Sequence, residues 1–291
     1  MKWLHQCFGV SKQAFYKRLK AYKKQQSHHE MLIHFVKNER KDKGNKLGGR
    51  KLHHILKDQM ESLDIKMGRD KFFSFLRMNN LLIPKTKNYH ITTNSRHRFF
   101  KYPNIVKDKV PNRPEQLWVS DITYIKTDYG HNYLALVTDA YSKRIMGYKL
   151  ASHMKASLCL DALKMAIKNR EYPNEKLIHH SDRGFQYCSD EYTSFAKQNN
   201  INLSMTEQYD PYENAVAERI NRTLKHEYGM KLKIKNTTLA KKMVNKAVET
   251  YNNKRPHLSL NFDTPNNFHK QRIKKYKSYK KDISNINELT F

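Results

Sequence analysis

Apolar positions in the first third of the chain recur at helical spacing. In "GGRKLHHILKDQM", Leu52, Ile55 and Leu56 fall on one face. In "MGRDKFFSFLRMNNLLIP", Phe72, Phe75 and Leu76 repeat the pattern, with a stop expected at Pro84. The stretch "GVSKQAFYKRLKAYKKQQ" holds no proline and offers Ser11 as a helix cap. Residues 1–84 therefore read as a helical region. Two short helices with a turn between them, the second carrying Arg69, Lys71 and Arg77, predict a helix-turn-helix that meets DNA through those cations.

A basic, proline-spotted stretch, residues 85–113, reads as a linker. Beyond it the period changes. "LWVSDITYI" (117–125), "YLALVTDAYS" (133–142) and "RIMGYKL" (144–150) are β-rich runs separated by polar turns, Tyr129-Gly130 being the clearest. They predict an antiparallel meander. "MKASLCLDALKMAIKNR" (154–170) reads as an amphipathic helix and "KLIHHSD" (176–182) as a fourth strand. A helix near 190–199 and a fifth strand, "INLSM" (201–205), follow. A crossover helix before the fourth strand lets it lie parallel to the first. That brings the strand carrying Asp121 beside the end of the strand carrying Asp182. The predicted class is α/β, a mixed five-stranded sheet with flanking helices over 114–270, preceded by the all-α region and followed by a basic tail, 271–291.

Charge sharpens this division. The chain carries 56 Lys+Arg against 27 Asp+Glu, a formal charge of +29. Residues 1–113 hold 27 basic and 8 acidic side chains, residues 114–230 hold 14 and 15, and residues 231–291 hold 15 and 4. A lysine-rich bias alone does not spare the middle. Flanks that grip phosphates around a middle that needs its carboxylates account for it, and a polyanionic partner is expected. Cys7, Cys159 and Cys188 lie far apart and offer neither a disulfide framework nor a zinc knuckle, which points to a reducing, cytoplasmic setting. No apolar run approaches the ~18 residues of a membrane span, and the start lacks a signal-peptide pattern.

The middle spends its carboxylates at telling places. "HHSDRGFQY" (179–187) ends an apolar run in two histidines and an aspartate; a turn explains Asp182 cheaply, a metal site more sharply. In "ENAVAERINRTLKHE" (213–227), Asn214, Asn221, Arg222 and Lys225 share a helical face with Glu218, while Val216, Ile220 and Leu224 take another. Sixty residues separate Asp121 from Asp182, and 35 separate Asp182 from Glu218.

Two aspartates and a glutamate at that spacing resemble the DDE transposase and retroviral integrase superfamily. "WVSDITYI", "LVTDAYSKRIMGY", "HHSDRGFQY", "ENAVAERINRTLKHE" and "YNNKRPHLSLNFDTP" (251–265) resemble, in order, the catalytic subunit of insertion-sequence transposases of the IS-three type. "GGRKLHHIL" and the helices after it resemble that group's internal helix-turn-helix. The resemblance runs from about residue 5 to 270. It implies a ribonuclease-H-like integrase core in which Asp121, Asp182 and Glu218 are the catalytic residues and the ligands of two Mg²⁺ ions, with Mn²⁺ able to substitute. Two hard cations about 4 Å apart activate an attacking oxygen and stabilise the leaving 3′-oxygen, and carboxylates are their natural partners. Lys225, seven residues after Glu218, is expected to meet a phosphate near the scissile bond, with Arg222 and Asn214 as further DNA contacts.

The implied activity is Mg²⁺-dependent cleavage at transposon ends followed by transfer of the 3′-hydroxyl to another phosphodiester. The implied partners are end and target DNA, further copies of the chain on that DNA, and a helix-turn-helix subunit from an upstream reading frame. The implied setting is the bacterial cytoplasm, at the nucleoid. A ribonuclease-H-type nuclease that only hydrolyses is the alternative enzyme, and an inactive DNA-binding repressor the alternative outside enzymes. The His-His-Cys-Cys zinc module of retroviral integrases has no counterpart in His28, His29, His53 and His54, which lack a cysteine pair. Asp139 reads as a turn or cap residue. Asn252, Arg255 and His257 read as structural or DNA-contacting. Of His179 and His180, one is expected to pack and the other to face the site.

Overall fold

The computed structural model of the protein describes residues 9, 11–84, 98–107, 109–207 and 214–271. The chain divides into two compact units, Met1–Asp42 with Leu47–Lys85, and Lys43–Lys46 with Thr86–Phe291.

The first unit is helical. Helix α1 (Lys12–Lys43) starts where Ser11 Oγ accepts the Ala14 amide at 3.2 Å, the cap expected there. The stretch "GGRKLHHILKDQM", read as one helix, instead forms two, α2 (Gly49–Ile55) and α3 (Lys57–Ser62), joined through Leu56, which leaves helical geometry at ψ 0°. Helix α4 (Arg69–Met78) ends well before Pro84. Asn79 Nδ2 donates to the Phe75 carbonyl at 2.8 Å and Asn80 turns left-handed at φ 54°. Asparagine tolerates that conformation, so the stop is local chemistry rather than the proline. Leu32, Val36, Leu52, Leu56, Phe72, Phe75 and Leu76 form the core. Arg69, Lys71 and Arg77 all stand exposed on α4, and Arg69 is paired with Asp70 at 2.8 Å.

The second unit is built on one five-stranded sheet, β1 (Leu117–Thr127), β2 (Gly130–Asp139), β3 (Ile145–Ala151), β4 (Leu177–Ser181) and β5 (Ile201–Met205), in the order β3-β2-β1-β4-β5. The first three strands form the expected antiparallel meander, turning at Gly130 (φ 105°). Strands β4 and β5 are parallel to β1. Helix α5 (Ala156–Lys168) makes the crossover, followed by α6 (Phe185–Cys188) and α7 (Asp190–Gln198). Helices α8 (Ala215–Glu227) and α9 (Thr237–Asn253), a 3₁₀ turn (Leu258–Leu260) and α10 (Pro265–Lys270) complete it.

Strand periodicity splits the core in two. Trp118, Ala135, Val137 and Leu203 pack with α5 and α7. Leu134, Leu136 and Ile125 pack with Ile220 and Leu224 of α8 and Val244 and Tyr251 of α9. Helix α5 lies so close to β3 that a Cβ on Gly147 would overlap the Ala162 carbonyl oxygen and the Ala166 amide. Covered on both faces, β4 is buried throughout.

The stretch expected as linker does not behave as one where it is described. Phe99 and Tyr102 pack against the core, the Ile105 amide donates to Ser204 Oγ at 3.1 Å, and Arg113 reaches the Lys176 carbonyl at 2.8 Å. Apolar side chains among the prolines drive this docking. Residues 85–97 and the tail beyond Gln271 lie outside the described residues.

A buried polar latch holds the end of the chain. Asp139 accepts the Glu115 amide at 2.8 Å and the Ser142 amide at 2.7 Å, which is the capping duty expected of it. Ser142 Oγ donates to Asp139 at 2.6 Å and bonds His269 Nδ1 at 2.8 Å. On the other side of the ring, His269 Nε2 faces Glu115 Oε1 at 3.3 Å, and Arg170 Nε closes on Glu115 Oε2 at 3.0 Å. Two carboxylates on one imidazole outweigh the burial that opposes its charge, and raise the His269 pKa to about 9. The "YNNKRPH" residues are structural here: Asn252 satisfies both the amide and carbonyl of Ile145, at 3.0 and 2.9 Å, and Arg255 grips Glu227 through two bonds of 2.7 Å.

Candidate active site

Strand β1 pairs in parallel with β4, Val119 opposite His180. Two residues further along in each case come Asp121, still in β1, and Asp182, the first residue after β4. Crossing over through α5 thus sets two carboxylates, far apart in sequence, side by side, one within a strand and one just past the end of its neighbour. Both line a cleft of about 300 Å³, together with Thr123, Tyr124, His131, Tyr133, Met154, Phe185 and Gln186.

Each aspartate is held. Asp121 Oδ1 accepts the Ile122 amide at 2.8 Å, and Oδ2 accepts Asn221 Nδ2 at 2.7 Å. Asp182 Oδ1 accepts the Gly184 amide at 2.9 Å, closing the turn that the cheap reading of its sequence foresaw. Burial first, and then the Asp182 charge with a smaller contribution from Glu218, raises the Asp121 pKa to about 7 against the pull of its two hydrogen bonds. Like charge crowded into a half-buried oxygen site is the condition a hard divalent cation relieves. The two aspartates therefore fit such an ion.

Glu218 stands apart from them. It lies in the first turn of α8, exposed, outside the residues that line the cleft. Among the described residues, no three His, Cys, Asp or Glu side chains stand close enough together to hold a metal ion. The side chain that α8 lays on Asp121 is Asn221, which is buried. Its place three residues after Glu218 was visible in the sequence; its contact was not.

The other residues of that face divide. Asn214 is not turned out to meet DNA but is buried, its amide donating to the Ser120 carbonyl at 2.9 Å, so that it pins the start of α8 to β1. Arg222 is exposed. Lys225 is half-buried, with Nζ 4.1 Å from the centre of the Tyr124 ring. Burial lowers its pKa, while the Asp121 charge opposes that shift. The histidines before Asp182 both pack, and neither faces the site. His179 Nε2 bonds Ser120 Oγ at 2.7 Å and Tyr192 Oη at 3.1 Å, and His180 Nδ1 bonds Ser204 Oγ at 2.9 Å. With helices over both faces of β4, alternation sends one ring into each interior. Burial lowers the His179 pKa to about 3, so that ring stays neutral.

Sheet order, crossover and paired aspartates define the class, an α/β integrase-type core of the ribonuclease-H-like kind. Family comparison agrees: residues 111–211 match an integrase core domain, and residues 199–265 match a second description of that domain. The insertion element IS600 31 kDa protein of Shigella sonnei is 32% identical over 212 residues, covering 72% of this chain and 78% of that protein. The transposase of insertion sequence IS904 from Lactococcus lactis is 36% identical over 158 residues, 54% of this chain and 62% of the relative. Transposase InsF of IS3A from Escherichia coli is 40% identical over 121 residues, 42% of each chain. The HTLV-2 integrase catalytic core solved with magnesium is similar at 19% identity and TM-score 0.44, over 55% of this chain and 99% of that one. The chain belongs to the insertion-sequence transposases of the IS3 type, DDE polynucleotidyl transferases that act in DNA transposition. No helix among the described residues is long and apolar enough to cross a membrane.

Proposed function

We propose that this chain cuts DNA at the ends of an insertion sequence and joins the freed 3′-hydroxyl to a second phosphodiester, and that Asp121, Asp182 and Glu218 carry the chemistry. The observation behind this reading is the meeting in one cleft of Asp121, on β1, and Asp182, just past the end of the neighbouring parallel strand β4. In cleavage, a water oxygen attacks phosphorus and the bond to the 3′-oxygen breaks. In joining, that 3′-oxygen attacks a target phosphate, loses its proton and displaces another 3′-oxygen, so one bond forms as one breaks.

Asp121 and Asp182 are the residues that would hold Mg²⁺, with Glu218 as the third ligand and Mn²⁺ as a substitute. A pair of such ions supplies a deprotonated nucleophile and charge stabilisation of the leaving oxygen. Asn221 orients Asp121 and favours its ionised form. Lys225 and Arg222 meet phosphates beside the scissile bond, and Arg69, Lys71 and Arg77 meet DNA from the helical unit. Joining two element ends requires more than one copy of the chain on DNA. An upstream-frame helix-turn-helix subunit and a place at the bacterial nucleoid complete the reading.

Labelled element-end DNA incubated with the protein and Mg²⁺, resolved on a denaturing gel, tests it. Cleaved strands together with longer joined products are expected. Cleaved strands alone would make the protein a nuclease of the same fold, and binding without either product a repressor.

A further inference from the structure

Helix α8 ends among cations contributed by stretches far apart in sequence. The segment Lys43–Lys46 belongs to the catalytic unit and is fastened there: Tyr228 Oη donates to the Lys43 carbonyl at 3.2 Å. Gly44 lies against Tyr228, where a Cβ would come within 3.4 Å of the ring. On the other side the chain reverses at Gly229 (φ 77°), and the Lys231 amide donates to the Lys225 carbonyl at 3.0 Å. These ties gather Lys46, Arg222, Lys225 and Lys231 round His226, and after burial it is these four charges that lower the His226 pKa. Lys46, Arg222 and Lys231 are exposed.

Among the described residues, no acid forms an ion pair with Lys46 or Lys231, while Arg222 feels the charge of Glu218 and Lys225 that of Asp121. Glu227 is engaged by Arg255 at 2.7 Å, and Asp128 by Lys233 at 3.0 Å. The partial negative charge of the carbonyls at the end of α8 offsets some of the repulsion. What remains is a positive group open to solvent, to which the basic flanks contribute Lys46 and Lys231 and the near-neutral middle Arg222 and Lys225.

We infer that Lys46 and Lys231, flanking His226, form a binding site for a backbone phosphate of DNA, separate from the contacts at the scissile bond. From Glu218 to His226 is eight helical residues, about 12 Å along the axis, or roughly three to four base steps of duplex. The site grips the strand at that distance from the cut, through charge and without reading bases. The inference rests on the transposase reading for the identity of its polyanion, a nucleic acid.

The full-length chain tests it. Dissociation constants for duplex element-end DNA are measured across a salt series for wild type, Lys46→Ala/Lys231→Ala, and the control Lys241→Ala/Lys242→Ala, whose lysines are exposed on α9. The log–log slope of the first variant should fall in magnitude by about 0.9, the share of the one phosphate that the two lysines hold together. The control should keep the wild-type slope, and Lys46→Arg/Lys231→Arg should regain it. A slope unchanged in Lys46→Ala/Lys231→Ala, or reduced equally in the control, overturns the site. A second arm adds inorganic phosphate at constant ionic strength. Displacement of DNA from wild type but not from the alanine variant would make this a free-phosphate site and overturn the nucleic-acid assignment. A wild type that shows the expected slopes but neither cuts nor joins would instead sink the transposase reading and leave this site standing.

Discussion

The amide of Asn221 donates to Asp121 Oδ2 at 2.7 Å, from 100 positions further along the chain. That bond ties the helix carrying Glu218 to the central strand of the sheet. It also opposes the burial and like charge that raise the Asp121 pKa to about 7. Asn221→Ala should therefore leave the fold in place and raise the Mg²⁺ concentration needed for half-maximal cleavage by roughly tenfold or more. A hydrogen bond to an ionised group is worth about 1.5–3 kcal/mol. Asn221→Asp should be worse, since it places another anion on the same oxygen. Unchanged Mg²⁺ dependence in the alanine variant would reduce Asn221 to a packing residue.

Asp121→Ala, Asp182→Ala and Glu218→Ala should each abolish cleavage and joining, a loss of roughly 10³-fold or more, while DNA binding survives. Binding should even tighten, because an anion facing phosphate is removed. Glu218 makes the sharpest test, being exposed and outside the cleft that the aspartates share. Near-wild-type rates in Glu218→Ala would restrict the site to the two aspartates.

Lys225 is held on the Tyr124 ring at 4.1 Å, a cation–π contact worth about 0.5–2 kcal/mol that fixes where its charge stands. Lys225→Ala should weaken element-end binding and slow joining at subsaturating DNA, with the Mg²⁺ dependence unmoved. Lys225→Arg should be mild, because Arg also stacks on tyrosine and keeps the charge. Joining at the wild-type rate by Lys225→Ala under those conditions would show that the stacked lysine serves only the fold.

The His269 latch predicts a pH dependence of stability. A folded-state pKa of about 9, above the ordinary 6.5, means that protonation favours the folded form. The contribution is complete below about pH 6.5 and is lost as pH rises through about 9, with an upper bound near 3 kcal/mol. Melting temperatures of wild type and His269→Gln, compared from pH 6 to pH 10, should differ most at pH 6 and converge by pH 10. A gap that stays constant across that range would mean the ring is neutral in its nest of carboxylates.

Much of this protein is written locally in its sequence. Runs rich in β-branched and aromatic residues between short polar turns mark the three meander strands, because such side chains suit a pleated, buried surface. Helical spacing marks Leu52, Phe72, Ile220 and Leu224 as buried, and the spacing of Asp121, Asp182 and Glu218 marks the family. Asp139 as a cap and Ser11 at the start of α1 follow from short-range hydrogen bonding that any local reading can foresee.

Contacts between distant segments were decided by the tertiary structure alone. Asn214 and Asn221 share a polar face with Glu218 in sequence, yet they are buried, because β1 offers a carbonyl and a carboxylate there for their amides. His179 and His180 alternate as a surface strand would, but β4 runs through the middle of a sheet covered on both sides, so each ring finds an interior. The proline-spotted stretch before β1 docks because Phe99 and Tyr102 meet an apolar surface that exists only once α5 and α7 are in place. Lys46 reaches the end of α8 only when the chain has folded back on Tyr228. Periodicity records what a residue does to its own helix or strand. Which partner that face meets is set by sheet order and crossover, and only three dimensions contain those.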